Sequence, residues 1–352
     1  MSIFVWLLEK AVLGFIGFWL YETSLILFWA YVVIAGLFLI LDVRRQIEIS
    51  SCLRDVKQEF REGYRKRFIL SQLSAERART TFWFWTLKNV WNGWGNPPKR
   101  IQPPCELMDD GPRWVRRKIQ RSLWLTEQRL FPFILNGFVP SLAEEVDKFR
   151  NVEVLTVLEP GCGSCSLIAK IASICHDRDI PAVFVGVDVE PWAIENGIKW
   201  LKKKGIYVVP SLGQLGNKEW SVLLENASIK RTQMVRLIAA DFRAAEDQLG
   251  DAVHFKLAWL HHFIHHFDCE ASEKLVRQVN SLAKKCYVLE EFRSWLPLFL
   301  IHLFIWYFPC HLETAVNSIL SNRTLAEWKR DFGSAARVKK KGFLAIAQLN
   351  SK

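Results

Sequence analysis

The chain has 352 residues, half of them hydrophobic, and a formal net charge of +11 at neutral pH. This length holds one large domain with an additional segment. The eight cysteines lack the spacing of small disulfide-stapled domains, which excludes that class and indicates reduced thiols. The basic charge suits an anionic membrane surface or nucleic acid, and the concentration of apolar residues at the N-terminus favours the membrane.

The first predicted element is an apolar segment over residues 11–41, interrupted only at Glu22, Thr23 and Ser24. As one straight helix it would exceed the roughly 30 Å hydrocarbon core of a bilayer by about half. Two arrangements fit: an interfacial helix (about 3–21) followed by a spanning helix (about 25–41), or a tight hairpin of both pieces. We therefore predict a membrane anchor over residues 1–43.

Residues 44–112 are predicted to form basic and Trp-rich juxtamembrane helices followed by a Pro-rich linker. Arginines and lysines follow the apolar segment directly, which places that side in the cytoplasm by the positive-inside rule. Trp83, Trp85, Trp91 and Trp94 favour a membrane interface, with core packing as the alternative. A Pro/Gly-rich stretch ends at Pro112, so the main folded domain is predicted over residues 113–352.

From about residue 152, strands alternate with helices, which predicts a parallel sheet covered by helices on both faces. The first strand leads into Glu159-Pro160-Gly161-Cys162-Gly163-Ser164-Cys165 and then an apolar helix. A glycine turn lets the backbone approach a ligand, and the helix start supplies N–H groups. The second strand ends in Asp188, whose carboxylate can accept hydrogen bonds from both hydroxyls of a ribose.

Three further strands are predicted, and polar residues stand at each of their ends. The third ends in Asp241, the fourth (254–260) leads into His261 and His262, and the fifth ends in Glu290-Glu291. The series VLEPGCGS, FVGVDVEP, IAADF and LAWLHHF resembles the class I S-adenosylmethionine-dependent methyltransferases. It is most similar to members with an LHH signature, such as ubiquinone and menaquinone C-methyltransferases. The resemblance covers roughly residues 150–292, under half of the chain.

The resemblance implies a Rossmann-like, seven-stranded, doubly wound α/β sheet that binds S-adenosylmethionine. Glu159 and the two glycines would hold the methionine end, Asp188 the ribose, and Asp241 with Phe242 the adenine. Cys165 takes the place of the third glycine of the family pattern, whereas a nicotinamide-binding G-x-G-x-x-G would need glycine at Ser166. The implied cofactor-binding residues are Glu159, Gly161, Cys162, Gly163, Asp188, Val189, Asp241, Phe242 and Leu260, and the candidate catalytic residues are His261 and His262.

Four of the eight histidines lie in the segment 261–266. If this segment is helical, His261/His265 and His262/His266 form i,i+4 pairs that could bind zinc. The segment lacks the HExxH pattern and has no evident third ligand, so we expect no metal. The remaining roles are a general base for the methyl acceptor, lining of the cofactor pocket, and ordinary packing.

The tail contains an apolar run over residues 296–309, interpreted as a core helix or as a membrane-facing helix at the mouth of the site. Thr324 and Glu327 form a predicted capping box at a helix start. Residues 337–342 are predicted as a charged hairpin turn, and residues 343–349 as a final antiparallel strand.

Together these features predict a membrane-associated S-adenosylmethionine-dependent methyltransferase with its catalytic domain on the cytoplasmic side. It would transfer a methyl group directly to a small hydrophobic or lipidic acceptor. The alternative is an inactive methyltransferase-fold scaffold at the membrane. Nucleic acid is not an expected partner, because the fourth-strand motif lacks the Asn/Asp-Pro-Pro-aromatic signature of many amino-methylating enzymes. The sequence leaves the oligomeric state open.

Overall fold

The computed structural model describes residues 2–33, 36, 100, 132–150, 154–209, 217–244, 249, 254–294, 297, 318–332, 336–341 and 344–350. The chain divides into two compact units. One comprises Met1–Asn96 with Leu298–Val316, and the other comprises Pro97–Pro297 with Asn317–Lys352. The predicted basic segment, the Trp-rich patch, the Pro-rich linker apart from Arg100, and most of the apolar run 296–309 lie outside the described residues.

In the first unit, helix α1 (Ser2–Thr23) is followed by a helical stretch over residues 25–33. The two pieces fold back on one another. Gly17 lies against the ring of Tyr31, and Tyr21 meets Phe28 edge-on at 5.2 Å between ring centroids. Because residues 14 apart on one straight helix would be about 21 Å apart, these contacts identify a hairpin that turns near Ser24. We name residues 2–33 the N-terminal hairpin. Among the described residues, no helix combines the length and apolarity needed to cross a bilayer.

The second unit is a doubly wound α/β sheet, as predicted, with eight strands among its described residues rather than seven. The strands are β1 (Leu155–Pro160), β2 (Ala182–Asp188), β3 (Tyr207–Val209), β4 (Gln233–Ala239), β5 (Leu257–His261), β6 (Lys285–Glu291), β7 (Ala336–Lys341) and β8 (Leu344–Asn350). The helices are α2 (Pro132–Asp147), α3 (Ser166–Asp177), α4 (Pro191–Lys203), α5 (Asn217–Lys230), α6 (Cys269–Leu282) and α7 (Leu325–Phe332).

The strand order is β3-β4-β2-β1-β5-β6-β8-β7. Strands β1 to β6 run parallel, whereas β8 pairs antiparallel with both β6 and β7. The sequence predicted six strands individually and a turn in place of β7, and it did not predict β3. Its three residues are partly exposed at the sheet edge and are too few to show a period-2 pattern.

Both faces of the sheet are buried, which explains why its strands are continuously apolar. Successive residues of β2 alternate between the two cores: Val183 and Val185 pack on one face, and Phe184 packs on the other. Helices α5, α6 and α7 contribute to the first core, and α2, α3 and α4 to the second. The sheet is therefore a rigid platform that presents the carboxyl ends of its parallel strands along one edge.

Two predictions for the tail had different outcomes. The capping box is confirmed, because the Thr324 amide donates to Glu327 Oε2 at 2.7 Å and the Glu327 amide donates to Thr324 Oγ1 at 3.1 Å. The charged hairpin turn over 337–342 was wrong, because residues up to Lys341 belong to strand β7. Lysines are common on edge strands, where their charge opposes pairing with another chain, so this charge pattern did not mark a turn.

Candidate active site

The order of the strands reverses between β1 and β5, which lie side by side at the centre of the sheet. In open α/β sheets, ligands bind beyond the carboxyl ends of the strands at such a switch point. Glu159 and His261 stand at these ends, with Glu159 Oε1 3.9 Å from His261 Nδ1, and both side chains are buried. The predicted cofactor and histidine motifs therefore meet where the topology favours a ligand.

The turn from β1 to α3 has the backbone conformation of a glycine loop. Gly161, Gly163 and Cys165 have positive φ angles of 66°, 50° and 62°. Cys165, which replaces the family's third glycine, thus keeps the left-handed conformation that a glycine would adopt. A Cβ on Gly163 would meet nothing within 4 Å, so the loop presents bare backbone to open space.

Two buried thiols form the inner side of this turn. Cys162 Sγ and Cys165 Sγ are 3.9 Å apart. A Cβ on Gly186 would lie 2.8 Å from Cys162 Sγ, and a Cβ on Gly197 would lie 2.7 Å from Cys165 Sγ. Each thiol therefore fills space that a glycine leaves open. The hydrogen bond shared with Cys165, burial and the nearby carboxylates hold the pKa of Cys162 well above its usual range, so Cys162 remains a thiol and serves packing.

Asp188 connects the end of β2 to the glycine turn. Its Oδ2 accepts from the Gly163 amide at 2.8 Å, and its Oδ1 accepts from the Glu190 amide at 2.9 Å. Burial raises the pKa of Asp188, and the two amides counteract that effect. Each carboxylate oxygen retains a second lone pair for a ligand hydroxyl. The neighbouring Val189 is 59% exposed, which suits an apolar contact with a ligand.

The other implied cofactor residues occupy different environments. Asp241 lies just beyond β4 and pairs with Arg243, which lowers the pKa of Asp241. Phe242 and Leu260 are buried in the hydrophobic core, and Glu159 is buried at the end of β1. The placement of Asp241 and Phe242 beside an adenine remains a prediction.

The histidine segment is not one helix, so the i,i+4 pairs considered from the sequence do not form. His261 is the last residue of β5, where it pairs in register with Leu289 of β6. His262 has a φ angle of 49°, and only a short 3-10 turn (264–266) follows. His261 lies in a strand and not in a helix because β5 is hydrogen-bonded to neighbouring strands on both sides.

Aromatic packing fixes both candidate catalytic histidines. Phe138 of α2 meets the rings of His261 and His262 edge-on, at 5.5 and 5.7 Å between centroids. The pKa of His261 is held well below its usual range by burial and then by His262 and His265, so His261 is neutral. Its Nε2 has no hydrogen-bond partner among the described residues. His262 is more accessible, and its Nδ1 lies 2.9 Å from Glu291 Oε2.

Glu290 and Glu291 follow a predicted strand, and the sequence indicates no role for them. Glu290 is fully buried; its Oε1 accepts from the Ile264 amide at 2.9 Å, and its Oε2 lies 2.8 Å from His265 Nδ1. Burial raises the pKa of Glu290, but His265, His262 and Asn322 outweigh it and lower the pKa to about 2. Glu290 is therefore a carboxylate that holds the histidine turn in place.

One combination of these groups could coordinate a cation, although the sequence indicated no metal. His262 Nδ1 and one carboxylate oxygen each of Glu290 and Glu291 lie within 4.8 Å of one another. The sequence could not reveal this triad, because its members come from the ends of two strands. The short contact from His262 to Glu291 has the length of a hydrogen bond, so a histidine–carboxylate pair accounts for the geometry without a metal.

A second chain segment, residues 322–327, is linked to the histidine turn by hydrogen bonds. Asn322 Nδ2 donates to Glu290 Oε2 at 3.4 Å. Arg293 donates from Nε to the Asn322 carbonyl at 3.1 Å and from one terminal nitrogen to both Glu327 oxygens at 2.6 and 2.7 Å. The capping box of α7 is thus linked through Arg293 and Asn322 to the histidine turn.

Comparison with known proteins gave results only at the level of structure. No protein-family model matches the chain, and no curated protein matches its sequence. It is similar to the plantazolicin methyltransferase BpumL solved with a desmethyl analogue and SAH (13% identity, 70% of this chain, 94% of that chain, TM-score 0.47). It is also similar to the magnesium protoporphyrin IX methyltransferase ChlM from Synechocystis PCC 6803 with bound SAM (12%, 70%, 89%, TM-score 0.36). A third is a putative O-methyltransferase from Nostoc punctiforme PCC 73102 (18%, 79%, 71%, TM-score 0.40).

Proposed function

We propose that this chain is a membrane-associated methyltransferase that uses S-adenosylmethionine and methylates a small hydrophobic or lipidic acceptor. The observation that carries the proposal is the hydrogen bond that connects Asp188 to the glycine turn at the switch point of the sheet. The Gly163 amide donates to Asp188, and the space beside Gly163 is open. A bare backbone turn beside a buried carboxylate fits a ligand that has both a ribose and a charged amino-acid end.

The cofactor, when bound, supplies an electrophilic methyl group on a sulfonium, and the protein aligns acceptor and donor and excludes water. Glu159, Gly161, Gly163 and Asp188 would hold the donor. The contact of 2.9 Å between His262 Nδ1 and Glu291 Oε2 orients the imidazole, and with the proton on Nδ1 its Nε2 would be the basic nitrogen. His262 would then take the proton of an acceptor hydroxyl as a general base.

The N-terminal hairpin supports the proposed membrane association. Its apolar side chains point outward on both helical pieces: Phe15 is 72% exposed, Trp19 59% and Ile26 82%. Consecutive residues 25–27 are all exposed, so the exposed apolar surface of the second piece is wider than one narrow stripe. A continuous exposed apolar surface with tryptophans is typical of contact with lipid. The same proposal places the catalytic domain on the cytoplasmic side, where the arginines that follow the apolar segment would lie.

The cofactor assignment is tested by calorimetric titration of the full-length protein in detergent with S-adenosylmethionine and, separately, with NAD. We expect micromolar binding of S-adenosylmethionine alone. Asp188→Asn should weaken it at least tenfold, because a charge-assisted hydrogen bond contributes about 1.5–3 kcal/mol. The matched control is Asp179→Asn, which changes an exposed carboxylate paired with Arg231. Binding of NAD would contradict the proposal, and a folded protein that binds neither ligand would favour the inactive scaffold.

Membrane association is tested by flotation with vesicles of neutral or of partly anionic phospholipid. We expect the protein to float with both and to remain bound at high salt, because apolar insertion is not screened by ions. The double variant Phe18→Ser/Trp19→Ser should bind less, whereas Val222→Ser, which alters an exposed valine of α5, should bind normally. Binding that disappears at high salt would contradict insertion of the hairpin.

A further inference from the structure

Phe263 lies directly on the glycine turn. A Cβ on Gly161 would fall 2.2, 2.5 and 2.7 Å from the ring atoms Cδ2, Cγ and Cε2 of Phe263. The ring therefore occupies the space beside Gly161 and packs against its backbone. This contact, together with the φ angle of 66°, requires glycine at position 161. The sequence alone indicates no role for Phe263.

Hydrogen bonds of the neighbouring backbone and a second aromatic ring hold the Phe263 ring in this place. The His262 amide donates to Leu289 at 3.0 Å before it, and the Ile264 amide donates to Glu290 Oε1 at 2.9 Å after it. The ring of Phe267 meets Phe263 edge-on, with 5.1 Å between centroids. Because strand pairing and a buried carboxylate fix the backbone on both sides, the ring is preorganised at the turn.

The proposed donor and its product differ in one property that an aromatic ring detects. The sulfur of S-adenosylmethionine carries a positive charge, and loss of the methyl group leaves a neutral thioether. The face of an aromatic ring attracts a cation through its quadrupole and has no such attraction for the neutral form. An aromatic ring against the glycine turn is placed where the amino-acid and sulfonium end of the donor would pass.

We propose that Phe263 is a specificity-determining residue that makes the site prefer the charged sulfonium donor over its neutral thioether product. The inference rests on the proposed function. Its consequence is easier release of the product after each turnover, because the attraction is lost with the charge. Glu159 also lies at this end of β1 and would attract a cation, so the test must separate the ring from the carboxylate.

The separating experiment replaces Phe263 in the full-length protein with phenylalanines carrying one, two or three ring fluorines. Fluorination weakens the quadrupole with little change in ring shape, and it leaves Glu159 untouched. Affinities are measured by calorimetry for S-adenosylmethionine, for S-adenosylhomocysteine, and for a donor analogue with an ammonium-bearing carbon in place of the sulfonium. We expect the trifluoro ring to weaken both charged ligands about fivefold, which corresponds to about 1 kcal/mol, and the neutral ligand less than twofold.

Two variants separate cation recognition from packing. Phe263→Leu should also weaken the charged ligands selectively, whereas Phe267→Leu, which removes the neighbouring ring, should leave the ratio of affinities unchanged. An equal loss for charged and neutral ligands, or no loss with fluorination, would overturn the role of Phe263 while the methyltransferase assignment stands. If the unmodified protein binds none of the three ligands, the proposed function itself fails.

Discussion

The two halves of the sheet edge are built in different ways. On the proposed donor side, at the ends of β1 and β2, the carboxylate of Asp188 is bound by backbone amides of the Gly163 and Glu190 turns. On the proposed acceptor side, at the ends of β5 and β6, side chains bind one another: His262 with Glu291, and His265 with Glu290.

This difference suits the two tasks of the proposed reaction. The donor is the same in every turnover, and a backbone cradle holds its constant shape. The acceptor must be oriented and must lose a proton, which requires side chains that titrate. Variants on the donor side should therefore alter ligand affinity, and variants on the acceptor side should alter turnover.

The largest expected effect is that of His262→Ala. If His262 is the general base, kcat should fall about 10²- to 10⁴-fold while the affinity for S-adenosylmethionine stays unchanged. The matched control is His254→Ala, which removes an exposed histidine before β5. If His262→Ala changed only the affinity for the cofactor, the proposed separation of donor binding and proton transfer between the two halves would be wrong. Activity of the unaltered protein that is lost on chelation and restored by a divalent cation would instead assign the triad of His262, Glu290 and Glu291 to a metal.

Arg293→Met should have the next largest effect. It removes the buried partner of Glu327, and we expect a loss of about 2–3 kcal/mol in the free energy of unfolding. This is less than the roughly 3–5 kcal/mol for a fully buried pair, because the Glu327 side chain is 23% exposed. Since Arg293 also binds the Asn322 carbonyl, kcat should fall while donor affinity is kept. Denaturant unfolding measures the stability, and calorimetry measures the affinity for the donor. A loss of donor affinity as large as the loss of kcat would contradict the independence of the two halves.

A double-mutant cycle tests the packing of the donor side. Gly197→Ala alone should lower the free energy of unfolding by about 1–2 kcal/mol, because its methyl group would lie 2.7 Å from Cys165 Sγ. In a Cys165→Gly background the same change should be neutral or stabilising by up to about 1 kcal/mol, since alanine favours helix over glycine. Additive effects in the cycle would show that the thiol and Gly197 do not share this space.

The last effect concerns pH and the histidine side of the sheet edge. The pKa of His261 is lowered in the folded protein by burial and by neighbouring histidines, so the unfolded chain binds the proton first as pH falls below about 6.5. Stability contributed by neutral His261 is therefore present above pH 6.5 and is lost as pH falls below it. The slope is up to about 1.4 kcal/mol per pH unit.

His261→Gln should reduce this slope in urea unfolding between pH 5 and 7, whereas the exposed His254→Gln should not. An unchanged slope in His261→Gln would show that burial of this imidazole is not what makes the protein sensitive to acid.

What the sequence determined by itself is the part of the molecule that depends on local backbone conformation. Glycines before a helix predicted the turn at Gly161 and Gly163, and continuous apolar strands predicted a sheet buried on both faces. The capping box at Thr324 and Glu327 was evident from four residues. In each case the interacting groups are close in sequence, so the same local backbone conformation determines both the sequence pattern and the observed structure.

Only the tertiary structure decided which distant groups meet. Glu290 reaches His265 across 25 residues and Asn322 across 32. Phe263 covers Gly161, Phe138 packs on the histidines, and the N-terminal hairpin closes through Gly17 and Tyr31. These contacts follow from strand order and from how helices lie on the sheet, which no short window of sequence contains. The glycine turn beside Asp188 could therefore be predicted from motifs, as could the presence of His261 and His262. The contacts of the histidines with Glu290 and Glu291 exist because parallel strands end at a common edge.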